Sequence, residues 1–257
     1  MPSMCLIVLA NHYSEQYKFV LVANRDEFHK RTSLPAQFWP DQPHVFGGFD
    51  KRGGGGWLCV DKSGRLAAIT NVRKPPFVSE TKKSRGQILK KFLSGDTPAP
   101  EFLEKLKQKS EEYALLNILL KDDTGLWHYS NDTNAVKKIP TGLHGLSNAS
   151  LNTPWPKVAH GVTQLQMMLN RPKVNRVALL KLLTSTNIVP DDMLPNTGVS
   201  VESERVLSPQ FIIGPKYGTR CKTLVTIDAN NILEFTEISF DVLGEQVHTV
   251  TQQIQLN

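Results

Sequence analysis

The chain has 257 residues, 40% hydrophobic and 21% charged, with a formal net charge of +6. That composition is ordinary for a globular domain. Cys5, Cys59 and Cys221 are few, odd in number and far apart, which excludes a disulfide framework and a cysteine zinc site. Lysines and arginines are scattered in short groups such as Lys82-Lys83-Ser84-Arg85, so a nucleic-acid partner is not indicated.

The opening run Cys5–Ala10 is too short for a signal-peptide core, and no apolar stretch approaches the ~20 residues of a membrane span. Reduced cysteines then point to a cytoplasmic protein with no integral membrane segment. The mild basic excess suits an anionic small ligand or, more simply, a solvated surface.

Cys5–Ala10 and Lys18–Ala23 read as the first hairpin. Trp57–Val60 and Arg65–Val72 form a second around Asp61-Lys62-Ser63-Gly64. Ser84 with Gln87 three residues on predicts a capping box, and Gly95 a helix stop. A second helix is expected near Pro98, with Phe102, Leu103 and Leu106 on one face. Ala114–Lys121 and Leu126–Ser130 form the next strand pair.

Thr153 and Pro154 predict the start of a helix carrying Trp155, Val158, Ala159, Val162, Leu165 and Leu169. A further helix covers about Val174–Leu183, and Ser185–Glu204 reads as a long loop. Thr223–Asp228 and Ile232–Phe240 close the chain as a last hairpin. Strand pairs alternating with helix pairs predict an α+β fold: a four-layer αββα sandwich of two stacked antiparallel sheets between helix layers. No linker, low-complexity tract or repeat interrupts it, so residues 1–257 read as one domain.

The residues able to carry chemistry lie at strand ends or beside turns. Cys5, once N-terminal, would combine a thiol with an α-amine that titrates near pH 8 and can act as its base. Taken alone, it reads more simply as a small buried strand residue. Asn24-Arg25-Asp26-Glu27 ends the second strand. Arg25 beside Cys5 would lower the thiol's pKa, and Asp26 would hold the amine, although a strand-end Arg-Asp pair is commonly a surface ion pair.

Gly53-Gly54-Gly55-Gly56-Trp57 lets a ligand approach the main chain, or is a plain turn; it lacks the ending of a phosphate loop. Asn71 and Asn148 suit oxyanion donation or turns. Tyr217-Gly218-Thr219-Arg220 brings a late arginine for a carboxylate or thiolate, or a surface charge. The seven histidines form no metal-ligand spacing; His144, near Asn148, is the one expected to face a pocket. A haem ligand could be any His or Cys, and none is singled out.

These segments together resemble the NRDE family, also called the transport and Golgi organisation protein 2 family, whose name is spelled at Asn24-Arg25-Asp26-Glu27. The similarity runs nearly end to end, through Met4-Cys5, Arg31 to Pro35, Gly47-Gly48 to Trp57, Thr70-Asn71, Ser84-Arg85-Gly86, Gly142 to Asn148, Pro154-Trp155-Pro156-Lys157-Val158 and Tyr217-Gly218-Thr219-Arg220. The resemblance implies an N-terminal-nucleophile hydrolase type of fold. In that fold Cys5 attacks an amide carbonyl with its α-amine as base. Asn71 and Asn148 stabilise the oxyanion, Arg25 and Arg220 support the thiolate, and Asp26 orients the amine. Asn24, Gly55, Gly56, Trp57, His144 and Tyr217 complete the expected pocket.

The implied reaction is hydrolysis of a non-peptide C–N bond in a small molecule, with no cofactor required. The family also implies an alternative, haem trafficking or acyl-coenzyme A and lipid handling in the same pocket, with Arg25 or Arg220 pairing a haem propionate. Two departures stand out. Three residues precede Met4, whereas family members typically begin at Met-Cys: with translation from Met1, Cys5 has no free amine until cleavage, and with translation from Met4, ordinary methionine removal exposes it. Gly56 stands where similar sequences usually have Thr, and Cys59 where Gly is common.

Overall fold

The computed structural model describes residues 4–75 and 82–257. Its strands are β1 (Met4–Asn11), β2 (Tyr17–Phe28), β3 (Ser33–Trp39), β4 (Gln42–Asp50), β5 (Leu58–Asp61), β6 (Leu66–Asn71), β7 (Leu116–Asp122), β8 (Gly125–Ser130), β9 (Ala135–Lys138), β10 (Gly142–Leu146), β11 (Tyr217–Asp228), β12 (Ile232–Phe240) and β13 (Gln246–Gln255). Its helices are α1 (Gly86–Ser94), α2 (Ala99–Lys107), α3 (Pro156–Leu169), α4 (Arg176–Leu180) and α5 (Val201–Leu207). The class is α+β, with antiparallel hairpins where the alternating apolar runs place them. Among the described residues, no helix is long and apolar enough to cross a membrane.

Contacts divide the chain into two compact units. One runs up to Lys30 and resumes over Thr141–Gln255; the other is Arg31–Pro140 with Leu256 and Asn257. The first holds a six-stranded sheet in the order β10-β1-β2-β11-β12-β13, and the second a seven-stranded sheet from β3 to β9 in chain order.

In the first unit Leu6, Val8 and Ala10 of β1, Val20 and Val22 of β2, and Leu224 of β11 form one apolar cluster with Val158, Leu165 and Leu169 of α3 and Leu179 of α4. Side chains alternate between the faces of a strand. Met4, Asn24, Asp26 and Lys222 therefore share the helix-bearing face, and Cys5, Ile7, Leu9, Arg25 and Glu27 the opposite one.

Several local expectations are corrected. α3 starts at Pro156, two residues after the expected start, because the residue before a proline is pushed out of the helical region. Trp155 is accordingly extended, with φ −59° and ψ 142°. Ala159, expected on the packed face, is exposed. The capping box before α1 does not form. Ser84 Oγ donates instead to the Gly53 carbonyl at 2.6 Å, and Gln87 Nε2 to the Gly54 carbonyl at 2.5 Å. Bare carbonyls of the glycine-rich segment outcompete the local cap.

The long loop expected over Ser185–Glu204 contains the start of α5, whose Ser200 side chain accepts from the Ser203 N–H. β3, β4, β9, β10 and β13 were not expected. β13 carries almost no apolar alternation because nearly all its residues are exposed or half-exposed.

Candidate functional site

Cys5 stands opposite Arg25 across β1 and β2, and Arg25 stands opposite Cys221 across β2 and β11. Directly paired residues share a face, with strands about 4.8 Å apart, so Arg25 lies between two buried thiols. Glu27, two residues on, joins the same face. Arg25 Nη2 lies 3.7 Å from Glu27 Oε2, with side-chain exposures of 6% and 3%. A buried pair of this kind is costly to break from one side only.

The Cys5 backbone is gripped from the other edge. Its N–H donates to Asn148 Oδ1 at 3.4 Å. Ser147 Oγ donates to the Cys5 carbonyl at 2.9 Å, and approaches Asn148 Oδ1 at 3.1 Å. Arg25 and Asn148, expected around Cys5, are therefore brought to it.

The electrostatics correct the expectation of a lowered thiol pKa. Burial pushes Cys5 up to about 12; Asp26 raises it further, Arg25 opposes, and Glu27 adds to the rise. Arg25 acts in the expected direction but is outweighed, because a thiolate loses its hydration in this setting. While Met4 remains attached, Cys5 is a neutral thiol at pH 7, and its nitrogen is an amide with no basicity.

Asp26 faces the other way, toward the helices. Its backbone pairs with Met4 on one side and Thr219 on the other. Thr219 Oγ1 donates to Asp26 Oδ1 at 2.7 Å and accepts from the Ile212 N–H at 2.9 Å. The Tyr217 hydroxyl donates to the Asp26 carbonyl at 3.2 Å. Burial raises the Asp26 carboxyl to about 6, opposed first by the Lys157 ammonium and then by the Thr219 bond. Its position beside Met4 puts Asp26 next to the nitrogen that would become the Cys5 amine. Asn24, on the same face, donates from Nδ2 to the Leu183 and Gln210 carbonyls, both at 2.8 Å, and so anchors the chain around α5.

Arg220 is the extra residue of a β-bulge, since Thr219 pairs with Asp26 and Cys221 with Arg25. It donates from Nη1 to the Phe28 and His29 carbonyls at 3.3 Å. Burial, then the Arg25 charge, lowers its pKa, so the two guanidiniums feel each other. Tyr217 is buried and meets Phe28 edge to face, ring centroids 5.2 Å apart.

His144 is not brought to Cys5. It pairs with Leu9, four residues along β1 or roughly 13 Å away. Its Nδ1 is 3.1 Å from Asn152 Nδ2.

Asn71, Gly55, Gly56 and Trp57 belong to the Arg31–Pro140 unit. Asn71 ends β6 opposite Leu116. Trp57 is buried, and its carbonyl accepts from the Ile69 N–H at 2.8 Å. A Cβ on Gly55 would lie 2.3 Å from the Gly86 carbonyl oxygen, and one on Gly56 2.2 Å from Cys59 Sγ. These two glycines have a packing reason to be glycine, independent of any ligand.

The sequence reading missed Ser147, Lys157, Thr219 and Cys221. Each sits beside a residue it did select or inside a motif it quoted. Strand alternation and the bulge at Arg220 decide which neighbour turns toward the site. Among the described residues, no group of three or more His, Cys, Asp or Glu could hold a metal ion.

The sequence profile of the family described as Transport and Golgi organisation 2 matches residues 4–242. The Bos taurus protein called Transport and Golgi organization protein 2 homolog is 30% identical over 241 residues, 87% of each chain. The Homo sapiens protein of that name is 29% identical over 242 residues, again 87% of each chain. The Drosophila melanogaster Transport and Golgi organization protein 2 is 26% identical over 264 residues, 91% of each. Among solved structures, a Caenorhabditis elegans N-acylethanolamine-hydrolyzing acid amidase ortholog is similar over 86% of this chain and 92% of its own. Its 8% identity and TM-score of 0.45 are too low to bear on fold or function.

Proposed function

The chain belongs to the Transport and Golgi organisation 2 family, and from that premise we propose that it hydrolyses a non-peptide amide through Cys5, once Cys5 is the N-terminal residue. The observation that carries this reading is the convergence on Cys5 of Arg25 across β2 and of Asn148 and Ser147 from beyond β10.

Removing Met4 changes the Cys5 nitrogen from an amide into an amine that can take the thiol proton. Asn148 Oδ1, already accepting from that nitrogen, holds it in place. Asp26 lies beside it, and Arg25 favours the thiolate. Sγ attacks the substrate carbonyl. The Asn148 side-chain amide, an oxyanion donor carried over from the resemblance, stabilises the oxyanion. The C–N bond breaks, the amine leaves with the proton held on the Cys5 nitrogen, and water hydrolyses the thioester to a carboxylic acid. No cofactor is needed for these steps, and the three reduced cysteines suit a cytoplasmic setting.

The test is turnover of small-molecule amides by protein beginning at Cys5, beside the same protein with Cys5→Ala. The substitution removes the reacting sulfur and little contact area, so turnover should vanish while binding persists. Turnover that survives Cys5→Ala overturns the reading. A haem Soret shift that saturates at one equivalent and is weakened by Arg220→Ala, without any amide turnover, would favour haem carriage instead.

A further inference from the structure

We propose that the space filled by the Met4 side chain is the acyl-binding subsite of the Cys5 centre, sized for an unbranched apolar acyl group of about six carbons. The inference rests on the Cys5 reading above and names its substrate class.

Met4 is fully buried. It packs with Leu207, Ile212, Tyr217 and Phe28 in a cluster of its own, apart from the one beneath α3 and α4. The residue before the candidate nucleophile thus occupies a dedicated apolar slot. Freeing the Cys5 amine necessarily empties that slot.

The slot's walls are held independently of Met4. Leu207 ends α5, and its carbonyl accepts from Lys157 Nζ at 2.9 Å. The Ile212 N–H is held by Thr219 Oγ1 at 2.9 Å. Tyr217 and Phe28 are locked by strand register and by their edge-to-face contact. An apolar cavity with fixed walls stays dry and takes an apolar ligand of matching shape. The emptied cavity also costs stability that a ligand of the right size restores.

The position matches the chemistry. The carbonyl joined to the Cys5 nitrogen is Met4's own. The Met4 side chain and Cys5 Sγ lie on opposite faces of the sheet, so with Met4 gone a substrate would pass round the freed strand end, its carbonyl near that point on the thiol's side and its tail in the slot. From there Cα, Cβ, Cγ, Sδ and Cε continue the chain, so carbonyl carbon and side chain together trace about six atoms in line. The Tyr217 hydroxyl closes the slot at the strand, donating to the Asp26 carbonyl at 3.2 Å. In the reaction the Sγ–acyl bond forms as the C–N bond breaks; water then splits the thioester, releasing the acid from the slot.

The experiment uses protein beginning at Cys5 and linear amides of two to sixteen acyl carbons, with acyl-Cys5 read by intact mass and turnover by amine release. The expected optimum lies near six carbons, roughly tenfold or more above the two-carbon substrate. Leu207→Phe and Ile212→Phe should each shift the optimum to shorter chains. Acylation with no length preference, or with an optimum unmoved by both variants, overturns the subsite and leaves the hydrolase reading standing.

If no amide acylates Cys5, the hydrolase reading fails. The subsite is then decided by calorimetric binding of hexanamide to the same protein carrying Cys5→Ser. Saturable binding that is lost when Met4 is retained and weakened by Leu207→Phe supports it. No binding, or equal binding with Met4 in place, overturns it.

Discussion

Cys59 Sγ occupies the volume into which a side chain on Gly56 would grow, 2.2 Å from its ideal Cβ. These are the two positions at which the family resemblance implies Thr and Gly instead. The departures compensate: the sulfur fills what the missing side chain vacates. Gly56→Thr alone should destabilise the protein by about 1–3 kcal/mol through overpacking. Adding Cys59→Gly should recover a substantial part, although Trp39 Cζ2 at 3.0 Å also crowds the site. Urea denaturation of the two single variants and the double variant measures the coupling; strictly additive effects would contradict it.

Asp26 should make stability depend on pH. Its folded pKa, about 6, lies above the ordinary carboxylate value, so the native state binds the proton more tightly than the unfolded chain does. Stability from this group is fully present below about pH 4 and falls as pH rises to about 6. Asp26→Asn removes that slope. Relative to the variant, the parent protein should lose on the order of 2 kcal/mol between pH 4 and 7. Parallel pH profiles for the two proteins would refute the assignment.

Thr219 ties Asp26 to Ile212 through a single hydroxyl. Thr219→Val keeps the shape and removes both bonds, so a cost of about 2 kcal/mol is expected. The hydroxyl also holds the Asp26 carboxyl down, so the variant's pH-dependent fall should move to higher pH. Chemical denaturation across pH reads both effects, and an unshifted midpoint would count against the Thr219–Asp26 link.

With Met4 in place, Cys5 should alkylate slowly at neutral pH, since burial holds its thiol near 12. Asp26→Asn removes a charge that opposes the thiolate and should lower the pKa seen in an iodoacetamide pH–rate profile. Arg25→Met removes the charge that favours it and should raise that pKa. Shifts in the reverse order would show that the charges around Cys5 are misassigned.

Several elements were legible because local pattern and tertiary demand agree. β1, β2, β7, β8 and β12 carry alternating or continuous apolar runs with turn residues between them. β3 and β13 were not, because one contains Pro35 and the other leaves its side chains in solvent, so neither shows the period of a half-buried strand. Ser84 and Gln87 spell a cap; the nearby carbonyls of Gly53 and Gly54 redirect both side chains. Lys157 reads as an ordinary helix lysine, yet it is buried, with its ammonium on the Leu207 carbonyl.

From the sequence alone came the antiparallel hairpins, the family, and the candidates Cys5, Arg25, Asp26, Asn148 and Arg220, since residue type, order and turn chemistry are local properties of the chain. Tertiary structure alone decided which of them share a face. Period-two alternation sends Arg25 toward the thiol and Asp26 away from it, a bulge re-aims Arg220, and register leaves His144 four residues from Cys5 along β1. It also decided the sign of the thiol's shift, because desolvation depends on burial by residues remote in sequence, whereas the favourable Arg25 charge was visible locally.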